Sequence, residues 1–441
     1  MIRLGRSFWW MLFLTGVSFL LTRLPWLSPN PIYLRLTVTL LVIIATSALW
    51  TASSLSGVKL NRTSRETRKQ VGEVHTEEYE IVNRFFLPKI WLKITDQSQL
   101  LGGTGSKVFT GIGGRKTRTH IGMTLLQKRG WYELGPTQVE SGDIFGLFLR
   151  RKQVESSQRL LVIPYIFDIQ FFLAPFGILP GGRALREKTL EVTPYAAGVR
   201  EYVPGDPLRR IHWPSSERKQ MLIVKEFEKD PLAEVWIFLD ARKNVHIRSD
   251  EYGSSDLHQI WWGRYKKAYR LPPDTAEYSI SIAASLAKYY ISQKREVCLV
   301  SSGQNYSILP AERGERQLGK ILETLAVVEA EGKLPIWALV STHVNRLGRG
   351  TTVVIISPET DSYLLTIAMD LIHRGLVPVI VLIDPSGFGG AQGSEELSQK
   401  LLALGVFTFV INEGDDIKEI LETSQTIVIR HGFLRVGVEN R

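Results

Sequence analysis

The chain opens with two long apolar runs that contain no charged side chain. The first covers residues 7–22 and the second covers residues 36–58. A bilayer core needs about 20 apolar residues, so the shorter first run spans it only if Arg6 and Arg23 extend to the interface. Three prolines between the runs indicate a tight loop. The pattern therefore predicts a transmembrane hairpin over residues 1–58.

Basic residues around the two runs predict the orientation of this hairpin. Two precede the first run, two lie in the intervening loop, and five follow within residues 59–69. Because Lys and Arg concentrate on the cytoplasmic side, we expect a multi-pass protein of the plasma membrane with both termini in the cytoplasm. The basic run 59–69 is expected to lie near anionic lipid headgroups. A cleaved signal peptide and a buried soluble hairpin are the alternatives.

Residues 59–192 change to short apolar runs separated by glycine-rich and proline-rich turns. Such runs are typical of strands, and no long helical period appears in this part of the chain. The predicted strands cover residues 77–84, 90–96, 107–113, 118–126, 130–141 and 160–165. Six or more short strands of this kind predict an antiparallel β-sandwich domain.

From residue 233 the pattern changes again, to apolar strands that alternate with amphipathic helices. The strands are predicted at residues 234–240, 296–303, 351–359, 376–385 and 406–414, and the helices at 275–293, 312–332, 361–375, 394–405 and 416–424. Five such alternations predict an α/β domain with a parallel, doubly wound sheet over residues 233–441. Ligands of such sheets bind beyond the carboxyl ends of the strands, where Asp240, Ser301, Ser302 and Ser357 lie.

Between these two domains, residues 193–232 carry an unusual mixture of arginines, acids, prolines and one tryptophan. Asp206 followed by Pro207 is typical of a helix start, with the aspartate as N-cap, and we expect a short helix to about Glu217. Asp206 is expected to pair with Arg200 or Arg209, and a guanidinium is expected to stack on Trp213. The segment has three possible roles: an ion-pair contact between domains, a binding site for a partner or an anion, or a catalytic site.

The spacing within this segment resembles the domain of unknown function 58 family. The matching positions are Gly198, Arg200, Tyr202, Gly205, Asp206, Arg209, Ile211, Trp213, Ser216 and Arg218. The region upstream is also similar, at Gly146, Leu147, Phe148, Arg150, Arg151 and Pro164. Pro214 and Glu217 depart from the pattern, since a basic and a small residue are usual there.

This resemblance implies a membrane anchor, a β domain and a von Willebrand factor A-like α/β domain. It also implies a neighbour, because members of the family commonly occur beside MoxR-type AAA+ ATPases. The function implied is a non-enzymatic adaptor or scaffold. Eight residues of the signature are its candidate partner-binding residues: Arg200, Tyr202, Gly205, Asp206, Arg209, Trp213, Ser216 and Arg218.

The resemblance also directs attention to a metal site, which is degenerate in this sequence. Von Willebrand factor A-like folds often hold a divalent cation through Asp-x-Ser-x-Ser after the first strand. Here Asp240 keeps its place, but Arg242 and Lys243 bring positive charge, and Asn244 is the remaining oxygen donor. Hard cations need oxygen ligands, so we expect neither a metal nor another cofactor. Asp240 is instead expected to pair with Arg242.

The distribution of charge argues against nucleic-acid binding, and the cysteine content excludes a disulfide within the chain. The formal net charge is +10, but the first 70 residues hold nine basic residues and one acid, so most of the excess belongs to the predicted anchor. We therefore expect no nucleic-acid partner, although basic and aromatic residues alternate in the insertion 241–274. Cys298 is the single cysteine, so an intrachain disulfide is impossible.

The sequence thus predicts four segments: a transmembrane hairpin (1–58), a β-sandwich (59–192), the signature (193–232) and the α/β domain (233–441). The favoured function is a membrane-anchored cytoplasmic adaptor that binds an AAA+ ATPase through the signature and the α/β domain. The alternative is an enzyme of unknown reaction with a site near Asp206 and Asp240. No nucleophile–base pair is expected in the signature.

Overall fold

A computed structural model describes residues 2–23, 31–100, 103, 105–155, 158–172, 188–189, 196–204, 206, 208, 211–228, 234–248 and 269–423. Among these residues, those up to Ile163 form one compact unit and those from Pro164 onward form a second. Two of the predicted partner-binding residues, Gly205 and Arg209, lie outside the described residues, as does most of the insertion 241–274.

The first unit begins with two helices, α1 (Arg6–Leu21) and α2 (Pro31–Ser54). Small polar residues lie between them, and the hydroxyl groups of Ser18 and Thr37 are 2.9 Å apart. Within the described part of the chain, α2 is the one helix long and apolar enough to cross a membrane, with a mean hydropathy of 2.0. Helix α1 has 16 residues, so its length is about 24 Å.

This unit also contains eleven strands, of which the first precedes α1 and the other ten come after α2. They are β1 (Ile2–Leu4), β2 (Val58–Ser64), β3 (Arg68–Gln70), β4 (Val74–Asn83), β5 (Lys89–Asp96), β6 (Lys107–Ile112), β7 (Thr117–Leu125), β8 (Gly130–Glu133), β9 (Thr137–Gly142), β10 (Phe148–Val154) and β11 (Arg159–Ile163). They build sheets of order β1-β10-β9-β5-β6, β2-β4-β7 and β3-β11-β8. All neighbouring strands are antiparallel except β3 and β11, which are parallel.

The core of this unit lies between the five-stranded sheet and the sheet of β2, β4 and β7. Tyr79 and Ile81 of β4 pack there with Leu92 and Ile94 of β5, and all four are buried. Each strand places alternate residues on the two faces of its sheet, so the apolar positions face inward. The β-rich character predicted for this part of the chain is therefore confirmed.

Two details differ from the prediction. The expected single strand 130–141 is two strands, β8 and β9, which belong to different sheets. The basic run 59–69 was expected at lipid headgroups, but its first half is strand β2, and the side chain of Arg62 is only 4% exposed. Arg62 makes a bidentate ion pair with Glu77 and a second one with Asp96. These two acids draw the arginine into the core, where a lipid headgroup cannot reach it.

Both ends of the helical hairpin contact the five-stranded sheet. Strand β1, which precedes α1, pairs with β10, and the N–H of Gly5 donates to the carbonyl of Leu147 at 2.7 Å. At the end of α2, the ammonium group of Lys89 donates to the carbonyl of Ser53 at 2.9 Å, and Arg150 donates to the carbonyl of Ala52. Cations at a helix carboxyl end are favourable, because unpaired carbonyls give that end a partial negative charge.

The second unit contains two sheets. A small antiparallel sheet has the order β12 (Lys188–Thr189), β14 (Ile223–Glu228), β13 (Ala196–Glu201), and helix α3 (Trp213–Lys219) lies between β13 and β14 in the sequence. The large sheet has the order β17-β16-β15-β18-β19-β20. Its strands are β15 (Val235–Leu239), β16 (Val297–Ser302), β17 (Tyr306–Glu312), β18 (Thr352–Ser357), β19 (Val377–Ile383) and β20 (Phe407–Ile411).

The five strands predicted for this domain are parallel neighbours, and the additional strand β17 is antiparallel at the edge. The helices are α4 (Thr275–Ser292), α5 (Glu315–Val327), α6 (Ile336–His343), α7 (Tyr363–His373), α8 (Ser394–Ala403) and α9 (Ile417–Glu422). Helices α6, α7 and α8 cover one face of the sheet in a shared apolar core, and α4 packs along four strands on the other. This arrangement places the carboxyl ends of β15 and β18 side by side.

Candidate functional site

The signature is organised around an ion pair between Arg200 and Asp206. The guanidinium of Arg200, at the end of β13, donates to both carboxylate oxygens of Asp206 at 2.7 Å. The same carboxylate accepts the backbone N–H of Val203 at 3.0 Å. The Asp206 side chain is 11% exposed and the Arg200 side chain 37%. Two parallel hydrogen bonds fix both planar groups, so this pair shapes the loop that follows β13.

Ser216 is a second signature residue with a structural role, because it attaches α3 to β14. Its hydroxyl accepts the N–H of Ile223 at 2.9 Å and lies 3.1 Å from the carbonyl of His212. The N–H of His212 in turn donates to the carbonyl of Ile223 at 2.8 Å. Ser216 is buried, and its hydroxyl gives the buried N–H of Ile223 a hydrogen-bond partner.

The helix in this segment begins later than the sequence predicted. Helix α3 starts at Trp213, whereas Asp206 was expected to be the N-cap of a helix reaching Glu217. The carboxylate of Asp206 is already occupied by Arg200 and Val203, so it cannot cap that helix. The expected pairing of Asp206 with Arg200 is present. The expected stacking on Trp213 is absent within the described residues, which place no guanidinium over its ring.

Ile211, Ile223 and Val224 of the signature are buried, but several of its other apolar residues face outward. Leu208 is 69% exposed and Trp213 is 66% exposed. The other exposed apolar side chains of this segment are Val199, Val203, Met221 and Leu222. Tyr202 is half-buried, and its N–H donates to the carbonyl of Leu222 at 2.8 Å, which joins the ends of β13 and β14. Arg218 is exposed on α3.

One contact in the signature was not expected. The Nδ1 atom of His212 lies 2.7 Å from the hydroxyl of Ser215, three residues further along the chain. A histidine beside a serine is the arrangement of a base with its nucleophile. No carboxylate of the described residues contacts this imidazole, so the third member of a catalytic triad is missing from the described part of the chain.

A separate charged cluster lies at the carboxyl ends of β15 and β18. The carboxylate of Asp240 accepts the hydroxyl of Ser357 at 2.7 Å and the N–H of Arg242 at 3.1 Å. The guanidinium of Arg242 is 3.5 Å from Asp240 and makes a closer ion pair with Glu359. Burial raises the pKa of Glu359, although the charge of Arg242 opposes this effect. The cluster therefore consists of two buried carboxylates that share one guanidinium.

Of the two residues expected to form a degenerate metal site, Asp240 is buried and Asn244 is not. Asn244 is exposed in the turn after β15, away from the hydrogen bonds of Asp240. His246 instead packs beneath this turn, where its Nε2 lies 2.9 Å from the carbonyl of Asp240. Burial lowers the pKa of His246. Within the described part of the chain, no three histidine, cysteine or acidic side chains cluster closely enough to hold a metal ion.

An open cleft of about 440 Å³ lies next to this cluster. Residues 302–304 and 331–334 line it, at the carboxyl end of β16. Arg242 and Gly332 form a backbone bridge at its wall. Of the serines expected at the strand ends, Ser302 lines the cleft, Ser357 binds Asp240, and the hydroxyl of Ser301 lies 2.8 Å from that of Ser307.

The signature and the first half of the α/β domain match a known family. Residues 198–359 match the family model described as protein of unknown function DUF58. The resemblance expected from the sequence is therefore confirmed over residues 198–359. The matched segment contains both the Arg200–Asp206 pair and the cluster of Asp240, Arg242 and Glu359.

One curated relative is an uncharacterized protein, YeaD, of Bacillus subtilis (strain 168). It is 23% identical over 208 residues, which are 47% of this chain and 45% of the relative. The match therefore spans less than half the length of that protein.

Two solved structures also align with parts of this chain. A CARDB domain from Pyrococcus furiosus has a TM-score of 0.17 and 9% identity, and covers 24% of this chain and 91% of its own. A GH20 exo-β-N-acetylglucosaminidase from Vibrio harveyi has the same TM-score and 7% identity, and covers 79% of this chain and 60% of its own.

The sequence alone did not single out Glu359, His212 with Ser215, or the buried group around Arg62. Glu359 lies two residues beyond the end of β18. An acidic residue just after a buried apolar strand was the one sequence signal that could have marked it as a candidate site residue. The Arg62 group depends on pairing between strands that are 15 and 34 residues apart, which no local pattern encodes.

Proposed function

We propose that this protein is a membrane-anchored cytoplasmic adaptor or scaffold. Its hairpin of α1 and α2 spans the plasma membrane twice, with both termini in the cytoplasm. Its signature and α/β domain bind a partner, which the family resemblance indicates is a MoxR-type AAA+ ATPase. The α/β domain is of the von Willebrand factor A-like class. The observation that carries this proposal is the exposure of large apolar side chains in the signature, of which Leu208 and Trp213 are the most exposed.

The attachment of the hairpin supports the two-span topology. Strand β1 lies before α1 and β2 lies after α2, and both belong to the same compact unit. Since β1 pairs with β10 of that unit, the two ends of the hairpin lie on the same side of it. A single crossing would place them on opposite sides of the membrane. The outer surfaces of both helices are uncharged except for Arg6 and Arg35 near the amino-terminal ends, which fits a lipid environment. Small polar contacts such as that between Ser18 and Thr37 hold helices together there.

The exposed residues of the signature support a partner-binding role. Large apolar side chains at the centre of an interface contribute most of its binding energy, and tryptophan is enriched among them. Trp213 and Leu208 are both more than 60% exposed. The ion pair of Arg200 with Asp206 and the bonds of Ser216 hold the backbone that presents them.

The parallel sheet supports the von Willebrand factor A-like assignment. Asp240 follows the first strand of the α/β domain, and the strand order reverses next to that strand, since β16 lies on one side and β18 on the other. A crevice beyond the carboxyl ends of such strands is the usual ligand position of an open α/β sheet. Arg242 occupies the space beside Asp240, which favours a protein partner over a cation at this edge.

The test is capture of the full-length protein from its own gently solubilised membranes, followed by mass spectrometry. Native protein is compared with a Leu208→Ala, Trp213→Ala double variant at matched abundance. A Trp131→Ala variant is the control, because Trp131 is also an exposed tryptophan (47%) but lies in β8 of the first unit. We expect an AAA+ ATPase with the native protein and the control, and its loss from the double variant.

If no ATPase accompanies the native protein, the adaptor function is wrong in this form. If the ATPase is retained by the double variant, the ATPase binds elsewhere and the signature is only a structural segment. Hydrogen exchange of Ile223 verifies that the double variant keeps the fold of the signature.

The contact between His212 and Ser215 is the one observation that favours an enzyme instead. A nucleophilic Ser215 would react with a fluorophosphonate, whereas the serine of an inert helix start would not. Absence of labelling at Ser215 in the membrane-embedded protein is expected for the adaptor. Labelling that disappears in a His212→Ala variant would establish the enzyme class.

A further inference from the structure

Three loops of the first unit lie at the same end as the helical hairpin. They are residues 84–88 between β4 and β5, residues 113–116 between β6 and β7, and residues 143–147 between β9 and β10. We call them the base loops. The N–H of Gly5, just before α1, bonds to Leu147, and the N–H of Arg84 bonds to the carbonyl of Gly57, just after α2. The base loops therefore surround the point where both helices leave the sheets.

The base loops expose large apolar side chains. Phe86 is 65% exposed, Ile144 is 71% exposed and Phe145 is 57% exposed. These residues lie outside the core between the two sheets, and the helices beside them also expose apolar surface. An apolar patch that continues from a predicted membrane anchor marks an interaction site more strongly than scattered exposed residues do.

Hydrogen bonds hold the base loops in this exposed conformation. The carboxylate of Asp143 accepts three backbone N–H groups, those of Phe145, Leu147 and Phe148, at 2.7–3.1 Å. The N–H of Arg115 donates to the carbonyl of Phe85 at 3.1 Å, which joins the first two loops. The apolar tips are thus presented by an ordered backbone, and little ordering entropy is lost when they bind.

The charge of the base loops is positive. Their sequences are RFFLP, GGRK and DIFGL, which hold three basic residues (Arg84, Arg115 and Lys116) and one acid, Asp143. The carboxylate of Asp143 accepts three hydrogen bonds from backbone N–H groups of its own loop and of Phe148, so its charge is turned away from the surface. Basic residues beside a membrane anchor attract anionic headgroups, by about 1 kcal/mol each.

We propose that the base loops insert into the headgroup region of the bilayer and seat the β-rich unit directly on the membrane. Phe86, Ile144 and Phe145 enter the boundary between headgroups and acyl chains, while Arg84, Arg115 and Lys116 contact anionic phosphates. Aromatic side chains favour this boundary, and basic side chains extend from it toward water. The proposal rests on the hairpin that spans the membrane, and it adds a second, lipid-binding surface.

The test uses single-cysteine labelling of the full chain in lipid vesicles. The native Cys298 is fully buried, so the unmodified protein serves to show that it takes no label. An environment-sensitive fluorophore is attached to Phe86→Cys, Ile144→Cys, Met123→Cys or Leu41→Cys. Met123 pairs with Thr76, six residues along β7 from Thr117 and therefore about 20 Å from the base loops. Leu41 is an exposed residue of α2 and reports on the hairpin itself.

We expect blue-shifted emission at positions 86, 144 and 41, and water-like emission at position 123. Lipids that carry a nitroxide at the headgroup or at a shallow acyl carbon should quench positions 86 and 144, and lipids with a deep nitroxide should quench position 41. Vesicles with phosphatidylglycerol should give a larger blue shift at positions 86 and 144 than vesicles of phosphatidylcholine alone.

The outcomes separate this proposal from the one on which it rests. If position 41 is quenched but positions 86 and 144 are not, the hairpin spans the bilayer and the lipid contact of the base loops is wrong. If position 41 is not quenched, the transmembrane hairpin fails. Blue-shifted emission at 86 and 144 without lipid quenching would overturn the proposal in favour of a protein–protein contact.

Discussion

Arg200 and Asp206 are joined by two hydrogen bonds of 2.7 Å across a six-residue loop of the signature. Both groups are charged, and the geometry is that of a bidentate guanidinium–carboxylate pair. Such a pair uses the polar atoms of both side chains internally, and large apolar side chains of the same segment, such as Leu208 and Trp213, are exposed. The charges of Arg200 and Asp206 thus act on the shape of the loop.

Replacement of Asp206 by Asn should loosen this loop without unfolding the protein. An amide keeps the shape of the carboxylate but donates where Arg200 also donates, so one of the two bonds is lost. Since the pair is partly exposed, we expect a local loss of about 1–2 kcal/mol. The measurement is hydrogen exchange of the Val203 amide, which bonds to the same carboxylate. Unchanged protection of Val203 would show that the pair does not order the loop.

Loss of the Ser216 hydroxyl should detach α3 from β14. In Ser216→Ala the N–H of Ile223 is buried without a partner, which costs about 1–3 kcal/mol. Ser215→Ala is the matched control, because it removes a neighbouring hydroxyl that bonds only to His212. We expect faster hydrogen exchange at Ile223 in the first variant alone. Equal effects of the two changes would contradict the assignment.

Acid should weaken the first unit through Glu77. Burial alone would raise the pKa of this group, but the two hydrogen bonds from Arg62 and the imidazole of His75 at 3.8 Å lower it to about 2. A carboxyl with a lowered pKa stabilises the folded state above its unfolded pKa of 4.5, and this contribution is lost as the pH falls toward 2. Its magnitude is about 3 kcal/mol.

The measurement is the melting temperature of the first unit between pH 7 and pH 3 in native protein and in Glu77→Gln. The variant should melt lower at pH 7, and the difference should shrink steadily below pH 5. Glu78→Gln is the control, since Glu78 is adjacent but exposed. A difference that stays constant with pH would mean that Glu77 is not the charged partner of Arg62.

Removal of the guanidinium of Arg242 should destabilise the second unit strongly. Arg242→Ala leaves Asp240 and Glu359 buried next to each other without a cation, which costs about 3–5 kcal/mol. The pKa of Glu359 is already raised by burial and should rise further in the variant. A folded-state pKa above the unfolded value favours folding at acidic pH, so the variant should regain stability as the pH falls.

A double variant tests this assignment. Arg242→Ala with Glu359→Gln removes one of the two charges, and it should unfold at a higher urea concentration than Arg242→Ala alone. Lys243→Ala is the control for loss of a neighbouring exposed cation. If the double variant is no more stable than the single one, Glu359 is not the main partner of Arg242.

Much of the local structure could be predicted because it depends on residues close together in the sequence. The strands β4, β5, β6 and β7 and the alternation of strands and helices after residue 233 follow from the period of the apolar positions. The pairings of Asp206 with Arg200 and of Asp240 with Arg242 were also expected, since each joins residues six or fewer positions apart.

Predictions failed where another residue competed for the same atoms. Asp206 satisfies the rule for a helix N-cap, but Arg200 and Val203 take its carboxylate, and α3 begins at Trp213 instead. Arg62 lies in a basic run beside a predicted membrane anchor, but Glu77 and Asp96 bind it in the core. The expected helix cap at Asp206 and the expected lipid contact of Arg62 are thus replaced by ion pairs.

The sequence by itself determined the apolar hairpin, the β-rich region, the signature and the alternating domain, because hydrophobic periodicity and turn residues act over a few positions. Only the tertiary structure decided which charges meet across long separations in the sequence. Glu359 joins Arg242 over 117 residues, and Ser357 joins Asp240 over the same separation. Such contacts depend on which strands become neighbours, and a one-residue change of register would move every side chain of a strand to the other face.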